Sequence, residues 1–98
     1  NFKKEDDFYY WSRKKKEAQI ILTQKNKNDS LKFIVAEYKK IEKPNNKIIF
    51  DLANFYKRSK DYETAIKYYS IVIENLGNNS DIRLNCSDAH IRNSTSFK

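Results

Sequence analysis

Within Cys86-Ser87-Asp88-Ala89-His90 stand the residue types of a nucleophile, an acid and a base. A nucleophilic triad needs a thiol or hydroxyl to attack, an imidazole to take its proton and a carboxylate to orient the imidazole. The three come from separate parts of a fold so that they converge on one substrate atom. Neighbours along one short segment diverge instead. Cys86 and His90 stand one helical turn apart, but two ligands do not complete a zinc site, and the chain has one Cys and one His in all. With a single Gly there is no phosphate-cradling loop. The segment reads as an irregular helix end. No cofactor or metal is expected, and the chain is expected not to be an enzyme.

A second cluster is Phe8 to Lys16, FYYWSRKKK, with four aromatic side chains set against four cations. Nucleic-acid binding needs rings and cations on one exposed surface, so that bases stack while phosphates are neutralised. A helix disperses them: Phe8, Trp11, Ala18 and Leu22 fall near one face with Ile21, and Arg13 and Lys16 point elsewhere. A membrane-interface helix would use the same residues, but packing of further helices onto Trp11 accounts for them without a bilayer. The expectation is packing on one face and solvation on the other.

Helices must therefore position both clusters. A chain of 98 residues suits one small domain, and 34% charged against 39% hydrophobic residues is too apolar for a disordered tail. One Gly and one Pro exclude a turn-rich all-β fold. No run approaches the length of a membrane span, so no transmembrane segment is expected. The single cysteine excludes an internal disulfide and favours a reducing compartment, so cytoplasmic localisation is the expectation. The net charge of +7 is local: Ser12 to Lys47 holds eleven Lys or Arg against Glu17, Asp29, Glu37 and Glu42.

The strongest periodicity lies in Asn45–Gly77. Ile48, Ile49, Leu52, Ala53, Phe55 and Tyr56 recur at helical spacing, and Asn46 is placed to cap the start. After a break at Ser59, Lys60 and Asp61, with Asp61 as a cap, Tyr62, Ala65, Ile66, Tyr69, Val72, Ile73 and Leu76 form a second stripe that Gly77 ends. Two helices joined by so short a link lie antiparallel. A shift of 35 residues sets Ala18 on Ala53, Ile20 on Phe55, Ile21 on Tyr56, Leu31 on Ile66, Ile34 on Tyr69, Tyr38 on Ile73 and Ile41 on Leu76. Lys14, Glu17 and Lys27 break the match, and Asn26–Ser30 reads as a polar loop. A third period from Asp81 would put Leu84 on Ile49, Ile91 on Tyr56 and Phe97 on Tyr62, with Ser87 and Asp88 at the close-packing positions of Leu52 and Ala53.

These residues carry a resemblance. LANFYKRSKDYETAIKYYSIVIEN resembles the tetratricopeptide repeat (TPR) through Leu52, Ala53 and Tyr56 in its first helix and Ala65, Tyr69 and Val72 in its second. Ala18, Ile21, Ser30, Ile34 and Pro44 carry it over residues 10–44, and YYWSRKKKEAQIIL is similar to the opening helix of repeats in bacterial arrays. The resemblance implies an all-α fold, an α-α superhelix of two stacked TPR-like helical hairpins in residues 1–80 (repeats at about 10–44 and 46–77). Residues 81–98 would form a partial third repeat helix or a frayed tail, in a coding sequence cut within a repeat.

For function, the resemblance implies a non-enzymatic protein–protein interaction module whose first helices line a concave groove for a partner peptide or helix. Periodicity maps that face to Ser12, Lys15, Gln19 and Thr23, then Lys47, Phe50, Asn54, Lys57 and Arg58, extended by Asn85 and Arg92. Asn54 matches the asparagine with which some members hold a peptide backbone or terminal carboxylate. Phe50 stands where a lysine is usual, so a full carboxylate clamp is not expected. With Asp51 expected behind the face, the groove presents a positive wall suited to an acidic partner, and the chain is expected to be a monomer. Two alternatives remain from the sequence: a truncated remnant of a longer TPR protein without independent function, and a basic nucleic-acid-binding adaptor, the latter disfavoured by the dispersal of rings and cations.

Overall fold

The computed structural model describes residues 6–24, 26–77 and 80–95. Every regular element in them is a helix: α1 (Asp7–Gln24), α2 (Lys27–Tyr38), α3 (Asn46–Arg58), α4 (Tyr62–Leu76) and α5 (Ser80–Thr95). No helix among the described residues is long and apolar enough to cross a membrane. The all-helical expectation holds; the extension of the third period to Phe97 lies outside the described residues.

Side-chain caps set most boundaries by satisfying the free N–H groups of a first turn. The Asp6 carboxylate accepts from Phe8 N at 2.7 Å, Asn26 from Asp29 N at 2.8 Å and Asn45 from Ile48 N at 2.9 Å. Asp61 caps α4 as expected. Asn45 rather than Asn46 caps α3, and Asn46 is the first helical residue, its side chain accepting from Asn75 Nδ2 at 3.0 Å. The segment Asn26–Ser30 is likewise no loop: Asn26 caps, and Lys27 to Ser30 form the first turn of α2.

The stops differ in chemistry. Gly77 ends α4 at φ 75°, with Gly77 N donating to Ile73 O; a side chain there would meet nothing within 4 Å, so backbone conformation rather than room calls for glycine. The end of α3 also carries a positive-φ residue, in a different turn and without a glycine. Asp61 N donates to Tyr56 O and Lys60 N to Lys57 O, the paired bonds of a Schellman turn, and the left-handed residue is Lys60 at φ 68°.

Hydrogen bonds fix how the helices pair. Tyr10 near the start of α1 reaches Glu37 near the end of α2, and Asn46 at the start of α3 meets Asn75 at the end of α4, so each pair runs antiparallel. Helix α5 returns along α4, so that Tyr62 at the start of α4 and Arg92 near the end of α5 line one cavity. Successive helices are neighbours along the chain. Alternate helices also meet: α1 reaches α3 through Trp11 and Asp51, α2 reaches α4 through Tyr38 and Tyr68, and α3 touches α5.

Small residues let the paired helices close. Ala18 and Ser30 are buried where α1 meets α2, and Ser30 Oγ donates to Ala18 O at 2.7 Å. At the same 35-residue spacing Ala53 and Ala65 are buried in the α3–α4 core. Ile34 and Tyr69, another equivalent pair, are both fully buried, whereas Leu76 is exposed where its counterpart Ile41 is not.

Two clusters make the core. Trp11, Ala18, Ile34, Ile41, Ile48, Leu52 and Phe55 join the first pair to α3. Ile49, Ala53, Tyr62, Ala65, Tyr69, Val72, Ile82, Cys86 and Ala89 join α3 and α4 to α5. Helix α3 feeds both, which is why its apolar stripe is broad. A chain of rings bridges the clusters: Trp11 meets Tyr38 edge-on at 6.1 Å, Tyr38 meets Tyr68 edge-on at 6.0 Å, and Tyr68 stacks on Tyr56 at 5.6 Å. Trp11 and Tyr69 are fully buried as expected, whereas Tyr56 is only half-buried.

The phase of the last helix is a correction. Leu84 and Ile91 are 68% and 63% exposed, and Ile82, Cys86 and Ala89 face the core. Those three fall on Ile48, Leu52 and Phe55 at a spacing of 34, not 35. A one-residue slip turns a helix by about 100°, which moves Asp88 out of a packing position and onto the surface with Asn54.

Candidate functional site

Helix α3 has one face committed to both core clusters; Lys47, Phe50, Asn54 and Lys57, spaced three or four residues apart, follow one another along the other. Ser12, Lys15, Gln19 and Thr23 are accessible on α1, as are Asn85 and Arg92 on α5. Each accessible α3 residue meets a side chain from another element or from its own helix, and these contacts define the surface.

At one end sits a carboxylate the sequence misplaces. Asp51, expected behind the groove, is 6% exposed and is the meeting point of α1 and α3. Its Oδ2 accepts from the Trp11 indole Nε1 at 3.2 Å and from Lys15 Nζ at 3.3 Å, and its Oδ1 accepts from Lys47 Nζ at 3.1 Å. An enclosed carboxylate needs such partners. Lys15 and Lys47 therefore share one structural anion, which offsets one of their two charges and makes the expected positive wall weaker at this end. Only the aromatic type of Trp11 and the acid between two lysine-bearing faces hinted at this; their distance in sequence hid it.

The middle is aromatic and neutral. Lys47 Nζ stands 5.5 Å from the centre of the Phe50 ring, and Phe50 tilts against Tyr69 at 5.8 Å. The Tyr69 hydroxyl donates to Asn54 Oδ1. Burial, followed by the nearby Cys86 and Asp88, pushes the Tyr69 hydroxyl well above the ordinary tyrosine range, so it stays a donor. Asn54, expected to hold a partner's backbone or terminal carboxylate, thus accepts from a core tyrosine with its side-chain oxygen.

At the other end Lys57 donates to Asn85 Oδ1 at 3.0 Å and pairs with Asp88 at 3.0 Å, and Arg92 pairs with the same Asp88 oxygen at 2.9 Å. Those two bonds hold the Asp88 carboxyl below its ordinary range. Arg58 leans over Phe55, its guanidinium 5.8 Å from the ring centre. Gln19 is exposed, and Thr23 bonds back to Ile20 O at 2.9 Å within its own helix. The structure therefore joins Lys15 to Lys47 at one end and Lys57 to Asn85, Asp88 and Arg92 at the other.

The residues of Cys86–His90 are dispersed. Cys86 is in the core, burial pushing its thiol up with Arg83 opposing, while His90 is exposed and Asp88 is taken by Lys57 and Arg92. Among the described residues no three His, Cys, Asp or Glu side chains gather as metal ligands. In Phe8–Lys16, Arg13 and Lys14 both lie over the Tyr10 ring, at 5.8 and 5.5 Å, and Lys14 also pairs with Glu17 at 3.3 Å. Lys15 reaches Asp51 of α3 instead, and Lys16 is exposed.

Comparison with known proteins yields no match: no family model, no curated protein and no solved structure resembles the chain.

Proposed function

We propose that this chain is a protein–protein interaction module of the tetratricopeptide-repeat type, two stacked helical hairpins and a partial third repeat, without catalytic activity of its own. Its α1, α3 and α5 face receives a partner's peptide or helix. The observation that carries this reading is the division of α3: one face is consumed by two cores, and the other offers Phe50 and Asn54 flanked by charge. An accessible ring with an amide beside it suits an extended backbone and an apolar side chain.

Charge then sets polarity along the surface. Asp51 offsets one of the two charges of Lys15 and Lys47, and Asp88 one of the two of Lys57 and Arg92, so Arg58, which is in no such cluster, adds the cation that makes the Lys57 end the more positive. The partner segment is apolar in its middle and acidic at one end. Titration of acidic, apolar-centred peptides by calorimetry tests this. Phe50→Ala and Arg58→Glu should each weaken binding by tenfold or more, and Lys15→Ala should not. Equal loss from all three, or no loss from any, counts against the reading.

The open apolar side of α5, Leu84 and Ile91, is the feature that favours the alternative of a remnant of a longer array with no binding of its own. Absence of binding across the peptide panel by a folded chain would support that alternative.

A further inference from the structure

Beside the α3 face, where the turns of the hairpins meet, a cavity of about 360 Å³ is lined by Lys27, Lys57, Arg58, Lys60 and Arg92, over a floor of Leu22 and Tyr62. Five cations from α2, α3, the α3–α4 turn and α5 converge there, and no carboxylate lines it. Of these five cations, Lys57 and Arg92 share the Asp88 carboxylate. Among the described residues, Lys27, Arg58 and Lys60 have no ion-pair partner.

Two features show that the cluster is assembled against local preference. Lys60 occupies the left-handed position of the Schellman turn, at φ 68°, where glycine fits without strain. Lys27 opens α2, at the positive end of a helix dipole, where an anion rather than a cation is favoured. Ser59 Oγ donates to Lys27 O at 3.2 Å and ties the turn carrying Lys60 to the start of α2. Local strain and unfavourable charge that the rest of the fold sustains around one cavity mark it as a candidate site.

We infer that this cavity is a phosphate site, and that it receives a phosphorylated serine or threonine of the partner segment bound on the adjoining α3 face. The inference rests on the peptide reading above and adds the chemistry of one subsite. A carboxylate offers two oxygens and one charge. A phosphomonoester offers nearly two charges and three acceptor oxygens, which matches several converging ammonium and guanidinium groups. The volume lies at the small-ligand end of binding pockets, more than a bare ion needs, and Leu22 and Tyr62 can cover the carbon that carries the phosphate. Nucleic acid fits less well, because the Tyr62 ring is 8% exposed and gives a base no free face for stacking.

The test uses the whole chain and the pentapeptide Gly-Gly-phosphoserine-Gly-Gly, with its serine and glutamate counterparts, inorganic phosphate and a single-stranded oligonucleotide as comparators. Binding is read by calorimetry and by amide shifts of Lys60 and Asp61. The phosphopeptide should bind at least tenfold tighter than the serine or glutamate peptide, and inorganic phosphate should compete with it. Lys60→Gly should lose tenfold or more in affinity while thermal stability holds or rises, and Arg58→Ala should lose a similar factor. Equal binding of the three peptides overturns the phosphate site, as does undiminished binding by Lys60→Gly. Oligonucleotide binding tighter than phosphopeptide and lost in the same variants overturns it too. The peptide reading is judged separately, on unphosphorylated acidic peptides and Phe50→Ala.

Discussion

Asp51 carries more of this molecule than its type suggests. It answers the indole N–H of a fully buried tryptophan and two ammonium groups at once, so replacing it does different things to each. Asp51→Leu leaves the Trp11 Nε1 proton without an acceptor in a dry setting, costing about 1–3 kcal/mol for the orphaned donor. Asp51→Asn keeps an acceptor for the indole and should cost less. Urea unfolding of the two variants checks the order; a leucine variant as stable as wild type would mean that the indole finds water. Freed of Asp51, Lys15 and Lys47 would also regain charge on the α3 face, so Asp51→Asn should bind acidic peptides more tightly. That gain should shrink with added salt, since exposed charges are screened over about 8–10 Å at ordinary ionic strength.

At the scale of helices, the small residues and the turn make opposite predictions. Ala53→Leu overfills the fully buried contact between α3 and α4 and should cost about 1–3 kcal/mol. Leu84→Gln changes a side chain 68% exposed and should leave the unfolding midpoint nearly unchanged. Lys60→Gly relieves a left-handed lysine and should gain about 0.5–1 kcal/mol, the conformational relief less glycine's entropy. Thermal melts of the three decide. The same contrasts show what the sequence made legible. The 35-residue spacing found the buried pair Ala18/Ala53, because close helix approach demands small side chains and leaves a mark, whereas Ser30, buried at the position of Ala65, stood in a segment that read as a polar loop. The spacing missed the phase of α5, where Ile82, Cys86 and Ala89 are a thin stripe and Leu84 and Ile91 imitate a thicker one. Apolar side chains reveal periodicity but not which of two faces finds a neighbour. The site was read as a row of positions on helices; that lysines were already paired, and that others met across turns, depended on contacts between residues far apart in sequence.

For the molecule as a whole, acid should act before base. Glu37 is nearly buried, and although burial pushes its carboxyl up, hydrogen bonds from Lys40 and Tyr10 outweigh this and leave it below its ordinary 4.5. A folded-state pKa below the unfolded one gives stability that is complete above the unfolded value and is lost as pH falls through the folded value. Asp88 is lowered by Lys57 and Arg92 and acts in the same direction from its ordinary 3.8. The melting midpoint should therefore be flat from pH 7 to about 6 and fall below about pH 5, and Glu37→Gln should flatten part of the fall. A midpoint that rises on acidification would contradict the sign. The rising net positive charge adds repulsion over the same range, so the difference between the two proteins is the quantity to follow. These melts need no added dye. The chain has one indole, on the first helix, fully buried beside Ile48, Leu52 and Phe55 of the third, with Tyr38, Tyr68 and Tyr56 in a line behind it. Tyr38 sits with Trp11 in the first pair, but light absorbed by Tyr68 and Tyr56 has a nearby acceptor only while the first two helices stay seated on the next two. Tyrosine-excited emission from Trp11 is thus a built-in gauge of one seam, able to fall while the helices themselves persist, and so to separate undocking of the halves from melting of either.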